Sequence, residues 1–208
     1  CRNCKIGLII RVRLRNKNNE RRKHMNKKYQ IIYADPPWRF KVWNRDTGLG
    51  RSADRHYQTM SLVDIKNLSI PTDKNSVLFM WAVFPQMSEA LEVIKAWGFT
   101  YKTVAFAWVK TNKDGTPFTG MGYWTRANAE ICLLATRGKI SRKSKSVKQV
   151  ILSQREGHSK KPNEVRKRIV ELMGDLPRIE LFARQKTEGW DVWGNEVESD
   201  IDLEDIKR

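Results

Sequence analysis

Short apolar runs of strand length alternate with helical segments along most of this chain, which predicts an α/β fold with a mostly parallel sheet and helices on both faces. Three observations carry that expectation. Gln30-Ile-Ile-Tyr-Ala34, Ser76 to Val83 and Ala129 to Thr136 are apolar enough along their whole length to read as buried strands. Gln86 to Trp97 and Pro162 to Met173 have helical length and end at Gly98 and Gly174, the residue type that tolerates the left-handed turn after a last helical residue. Finally, 208 residues of which 40% are hydrophobic, with eight Trp, suffice for one domain with a sizeable core and exclude a disordered chain.

In chain order, the strand at 30–34 ends abruptly at Asp35-Pro-Pro-Trp38, because proline cannot donate to a sheet ladder. Asn44 to Arg55, with two glycines and mixed charge, reads as a long loop, either an ordinary surface insertion or a lid over the turn before it. Ser61-Leu-Val-Asp64 has the form of a capped helix start. The strand at 76–83, the helix at 86–97 and a strand from Tyr101 to Val109 follow, then the strand at 129–136. Pro162 suits a first helical position and Glu164 a first turn, placing Lys161 just before the amino end of the last helix. Arg178 to Phe182 reads as a final strand, with Ala183-Arg184 where the chain leaves the sheet. Trp81, Trp97, Trp108 and Tyr33 are assigned to the core, and Arg126 and Glu130 either pair with each other or contact substrate.

In open α/β sheets ligands bind beyond the carboxyl ends of the strands, so Asp35 and Trp38 are expected at the mouth of a site, held in fixed relation by Pro36 and Pro37. An acid and a flat ring suit an adenine or cytosine removed from its stack. The exocyclic amine of such a base is a poor nucleophile, since its lone pair is delocalised into the ring. A carboxylate from Asp35 and the backbone carbonyl of Pro36 can each accept one of its hydrogens and draw the nitrogen toward tetrahedral geometry. Trp38 can stack on the base.

Charge is localised. Residues 1–28 hold eleven Lys/Arg against one acid and residues 139–161 hold eight against one, so these two blocks supply +10 and +7 of the net +17 and the remainder is neutral. Block 139–161, with Arg142, Lys143 and Lys145, is expected to contact phosphates. Residues 1–28 are read as a basic extension, disordered or non-native before Met25, and 197–208 as an acidic tail. Cys1 and Cys4 lack a matching second pair of metal ligands, so no metal is expected, and three cysteines suggest a reducing compartment. Apolar runs are far short of a membrane span, pointing to a soluble cytoplasmic protein.

The chain resembles the MT-A70 family of S-adenosylmethionine-dependent adenine N6-methyltransferases of small bacterial or phage type. The resemblance rests on Asp35-Pro-Pro-Trp38, His56-Tyr57-Gln-Thr-Met60, Trp97-Gly-Phe-Thr-Tyr101 to Trp108-Val-Lys110, and Gly122 to Gly138. It continues through His158-Ser-Lys-Lys161-Pro162-Asn-Glu164, Arg178-Ile-Glu180-Leu-Phe-Ala-Arg184 and Gly189-Trp-Asp191-Val-Trp-Gly194-Asn195, and so spans residues 29–196. It implies a Rossmann-like class I methyltransferase fold in permuted motif order, with the base-binding motif ahead of the cofactor strand. It also implies S-adenosyl-L-methionine as cofactor, Asp35, Pro36, Pro37 and Trp38 as the catalytic motif, and Asp35, Lys161, Arg184 and Asn195 as the cofactor set. Trp38, His56 and Tyr57, with Arg142, Lys143 and Lys145, become the substrate set. Where the family often has Gly, a His-Asn type pair and Gln, this chain has Ala183, Lys186-Thr187 and Glu196, so cofactor contacts at 186, 187 and 196 are not expected. The activity implied is methyl transfer to the N6 amine of adenine in DNA, in a bacterial or phage-infected cell. The alternatives are an RNA methyltransferase of the same fold and a non-catalytic nucleic-acid-binding relative.

Overall fold

The apolar run after Lys28 forms the first strand, β1 (Tyr29–Ala34), with five of its six residues buried. The computed structural model describes residues 27–39, 59–122, 124–155 and 160–203. The expectations for 1–26, for the loop at 44–55 and for His56, Tyr57 and His158 lie outside the described residues. In order, the remaining elements are α1 (Leu62–Asn67), β2 (Thr72–Ala82), a 3-10 turn (Phe84–Gln86) leading into α2 (Met87–Ala96), β3 (Thr100–Thr111) and β4 (Ala129–Arg137). They are followed by β5 (Val150–Gln154), α3 (Glu164–Met173), β6 (Arg178–Leu181) and β7 (Asp191–Trp193).

All seven strands join one sheet in the order β5-β3-β4-β2-β1-β6-β7. β1 pairs in parallel with β2 and β6, β6 with β7, and β3 with β5, while β4 runs antiparallel to both neighbours. The sheet is therefore mixed, six strands pointing one way and β4 the other. Register puts Ala34 beside Met80 on one side and Leu181 on the other, so β1, β2 and β6 end at the same edge.

Helices cover both faces. On one, α1 and α2 bury Ile65, Ala90, Val93 and Ile94 against Ile32, Leu78, Met80 and Leu133. The i, i+3, i+4 spacing of the α2 residues puts them on one stripe. On the other, α3 turns Val165, Ile169 and Met173 toward Ile31, Val77, Phe79 and Phe106. Each such side chain contributes about 1.5–3 kcal/mol by leaving water. Ser61 caps α1 as expected, its hydroxyl accepting from the Asp64 N–H at 3.1 Å. Gly98 (φ +79°) ends the α2 segment, and Gly174 (φ +86°) ends α3. Trp81, Trp97 and Trp108 lie in the core, each indole nitrogen donating: to the Tyr33 hydroxyl at 2.7 Å, the Ile65 carbonyl at 2.8 Å and the Ser153 carbonyl at 3.1 Å. Among the described residues no helix is long and apolar enough to cross a membrane.

Candidate active site

Beyond the carboxyl ends of β1, β2 and β6 the chain encloses a cavity of about 710 Å³ lined by Asp35, Pro36, Pro37, Trp38, Lys161, Arg184 and Asn195, among others. The cavity thus gathers residues 35–38 and the three residues assigned to the cofactor from 161, 184 and 195. Local backbone bonds shape the proline turn: the Pro36 carbonyl accepts from the Trp38 N–H at 2.8 Å and the Pro37 carbonyl from the Met60 N–H at 3.1 Å. Trp38 is only 6% exposed. Its indole N–H donates to the Trp81 carbonyl at 3.1 Å, so the ring is braced by the core and offers the cavity a small part of its surface.

A chain of alternating charges crosses the cavity floor. Lys161 Nζ lies 2.8 Å from Asp35 Oδ2 and 3.2 Å from Glu130 Oε2, and Glu130 Oε1 lies 2.5 Å from Lys110 Nζ. The Lys161 ammonium also sits 5.4 Å from the centre of the Trp81 ring. Burial pushes the Asp35 carboxyl above its ordinary pKa, with Lys161 pulling the other way. For Glu130 burial works upward too, but Lys161 and Lys110 outweigh it and hold the carboxyl below the usual range. Burial disfavours the Lys161 ammonium, yet Asp35 and Glu130 overcome it and raise its pKa. Glu130 pairs with Lys110 and Lys161 and lines the cavity, while Arg126 is exposed. An acid at the head of an otherwise apolar strand was the signal that could have placed Glu130 in the site.

The second wall comes from β6 and β7. Phe182 takes φ +60°, a conformation unfavourable for a residue with a Cβ, which turns the chain sharply out of the sheet. It stacks edge-to-face on Trp193 at 5.3 Å. Ala183 follows, buried, its N–H bonded to the Trp193 carbonyl at 2.9 Å. A Cβ on Gly194 would stand 2.1 Å from the Ala183 oxygen, so the two turns meet only because residue 194 is glycine. The close approach reserved for glycine thus falls on 194, and alanine fits at 183. Arg184 reaches Glu196 at 3.5 Å, and both line the cavity. Glu196 is therefore at the site, where the sequence did not place it. Lys186 instead pairs with Asp200 and, with Thr187, lines a separate recess.

The basic segment is divided. The Lys143 N–H bonds to the Leu172 carbonyl at 2.7 Å, at the carboxyl end of α3, whereas Lys161 precedes its amino end. Ten residues of helix span about 15 Å, so Arg142, Lys143 and Lys145 stand at the opposite edge of the sheet from the cavity, which they do not line. The intervening β5, unrecognised in the sequence, carries the chain back to the cavity edge at Arg155.

A cavity at the carboxyl edge of a sheet covered on both faces, with acids, cations and an amide converging on it, defines an α/β enzyme-type site for a small polar ligand. Residues 29–196 match the MT-A70 family model, and the chain belongs to that family. It is similar to a type II methyltransferase, M.MunI, of Mycoplasma sp, at 36% identity over 189 residues, covering 82% of this chain and 78% of the relative. It is also similar to the N(6)-adenosine-methyltransferase catalytic subunit METTL3 of Homo sapiens (27% identity, 82% of this chain, 28% of that protein) and to an MT-A70-like N(6)-adenosine-methyltransferase of Arabidopsis thaliana (27%, 81% and 24%). The chain spans about a quarter of the length of these latter two relatives.

Proposed function

We propose that this chain transfers a methyl group from S-adenosylmethionine to the N6 amine of adenine in DNA, on a class I methyltransferase fold in permuted order. The charge of the cavity carries the reading. Four carboxylates line it, from Asp35, Asp64, Glu130 and Glu196, against two cations, Lys161 and Arg184, in a chain whose net charge is +17. An acidic pocket in a basic protein admits a cationic small molecule and a neutral base while keeping phosphates outside. S-adenosylmethionine carries two positive centres and one carboxylate, and about 710 Å³ lies within the usual range for small-ligand sites. The residues present therefore fit it, and when bound it supplies a methyl already activated on a sulfonium.

This chain's own part is alignment and charge. Lys161 would bind the methionine carboxylate, and Arg184 and Asn195 the ribose and amino-acid portions. Asp35 would accept one amine hydrogen of the target base. The Pro36 carbonyl, which spends one lone pair on the Trp38 N–H, keeps the other for the second hydrogen. Trp38 would brace the base end of the pocket. Glu130 holds the Lys161 ammonium beside Asp35 and so supports the geometry. The chain order supports the permuted arrangement: β1, leading into Asp35, precedes β6, leading to Arg184, yet the two strands lie side by side in parallel. The DNA assignment follows the type II methyltransferase, of which the match covers most of the length, over the N(6)-adenosine enzymes, of which it covers about a quarter. Labelled S-adenosylmethionine incubated with genomic DNA, followed by nucleoside digestion, should yield N6-methyladenine. A parallel arm with RNA of matching sequence should incorporate far less label, and label found only in RNA would reverse the assignment.

A further inference from the structure

The most exposed large apolar side chain among the described residues is Trp124, 95% accessible, and the site above makes no use of it. It stands on the connection from β3 to β4, which leaves the sheet at the cavity edge and returns through Glu130, a member of the charge chain. The connection is built to project. Phe118 N–H bonds back to the Lys110 carbonyl at 2.8 Å and Gly120 N–H to the Ala127 carbonyl at 2.9 Å, closing a loop from 120 to 127 that carries Trp124. Added Cβ atoms would stand 2.5 Å from the Ala127 oxygen at Gly120 and 2.2 Å from the Thr125 oxygen at Gly122, so the loop's path depends on two glycines meeting backbone. Met121, three positions before the tryptophan, is 70% exposed.

The surroundings are cationic. Arg126 lies two residues on, Lys113 belongs to the same connection, and Arg155 at the end of β5 packs over the Phe118 ring at 4.2 Å. Among the described residues of the β3–β4 connection, Asp114 is the acid. An exposed flat ring on a connection that carries Lys113 and Arg126 and leaves the sheet at the edge of an acidic pocket suits a nucleic-acid strand: phosphates meet the cations, and a base meets the ring. We propose that Trp124 is a stacking platform for a base of the DNA strand next to the methylated adenine, holding the opened strand while the target occupies the cavity. The inference rests on the proposed function and adds a contact outside the pocket.

The test is DNA affinity, read without methyl transfer. Fluorescence anisotropy of a labelled duplex at fixed salt, with the full chain, compares the parent with Trp124→Ala and Trp124→Phe. Loss of a base–aromatic stack weakens binding roughly 5- to 150-fold. Trp124→Ala should fall in that range, Trp124→Phe should restore most of the affinity, and S-adenosylmethionine binding should be unchanged in both. The side chain is exposed, so the melting temperature should not move. A Trp124→Ala protein that binds DNA as the parent does overturns the inference and leaves the methyltransferase reading intact if the parent methylates. A variant that binds DNA normally but loses self-association on sedimentation overturns it in favour of a protein contact. If Trp124→Ala loses affinity while the parent methylates no substrate, the enzymatic reading falls and takes with it the placement beside a methylated adenine, leaving a DNA contact alone.

Discussion

Replacing Asp35 by Asn tests the site at its centre. The Asp35 carboxylate gives one oxygen to Lys161 at 2.8 Å and is a quarter exposed where it lines the cavity. Asparagine keeps the shape and can still accept from Lys161, which leaves its NH₂ facing the target amine, a donor where an acceptor is needed. A hydrogen bond to a charged group contributes about 1.5–3 kcal/mol, and the mismatched donor adds a penalty of about 1–3 kcal/mol. Together they raise the barrier by about 2.5–6 kcal/mol, and at about 1.4 kcal/mol per tenfold the rate should fall roughly 10²- to 10⁴-fold. Lys161 retains Glu130 at 3.2 Å, so the fold should hold. The assay is single-turnover incorporation of labelled methyl into DNA, with S-adenosylmethionine affinity measured by calorimetry. Cofactor affinity should change by less than about tenfold, the loss being concentrated in the chemical step. A variant methylating within threefold of the parent rate would refute the role given to Asp35.

Four further outcomes follow from the same geometry. Gly194→Ala drives a methyl group into the Ala183 carbonyl, where backbone and not a flexible side chain must give way; about 1–3 kcal/mol of destabilisation is expected, seen as a melting temperature lowered by roughly 2–12 °C, and an unchanged melt would contradict the close approach. Glu180 accepts from Arg166 Nε at 2.7 Å and Nη2 at 2.5 Å with both side chains buried, so Glu180→Gln should cost about 3–5 kcal/mol in chemical denaturation, whereas replacing both residues by leucine should recover much of it. Because burial raises the pKa of Asp35, and the group must be ionised to accept the amine hydrogen, activity should fall on acidification through a value above the ordinary carboxylate pKa of about 3.9. Glu130 works oppositely: its folded pKa is depressed, so its share of stability is present above the unfolded carboxylate value and lost as pH drops through the folded one, and Glu130→Gln should flatten the acid limb of a stability curve.

The fold was legible where burial made a signal. β1, β2 and β4 carry unbroken apolar stretches at 31–34, 77–82 and 131–135 because both faces are covered, and α2 and α3 show their glycine ends. Strand direction is another matter: the Ala129–Arg137 run is equally apolar whichever way it points, so its antiparallel placement could not be read. β5 escaped recognition because it forms the sheet edge and buries only Ile151, leaving Val150 and Leu152 exposed amid lysines. Asp35 was legible from the prolines that eject the chain from the sheet. Lys161 looked like one charge in a basic run, and its near-complete burial depends on Asp35 and Glu130, 126 and 31 positions away in the chain. Nor does a linear run of cations reveal that a strand divides it, with Arg142, Lys143 and Lys145 before β5 and off the cavity lining, and Lys161 after it and on that lining.

The row Lys110, Glu130, Lys161, Asp35 leaves each ion already neutralised by its neighbour before any ligand arrives. Stripping water from those four groups is accomplished once, during folding, and is not repeated at every catalytic cycle. An incoming zwitterion then swaps counterions with a prearranged lattice, so loading and discharge of the pocket need only small side-chain adjustments and no wholesale rearrangement of the sheet.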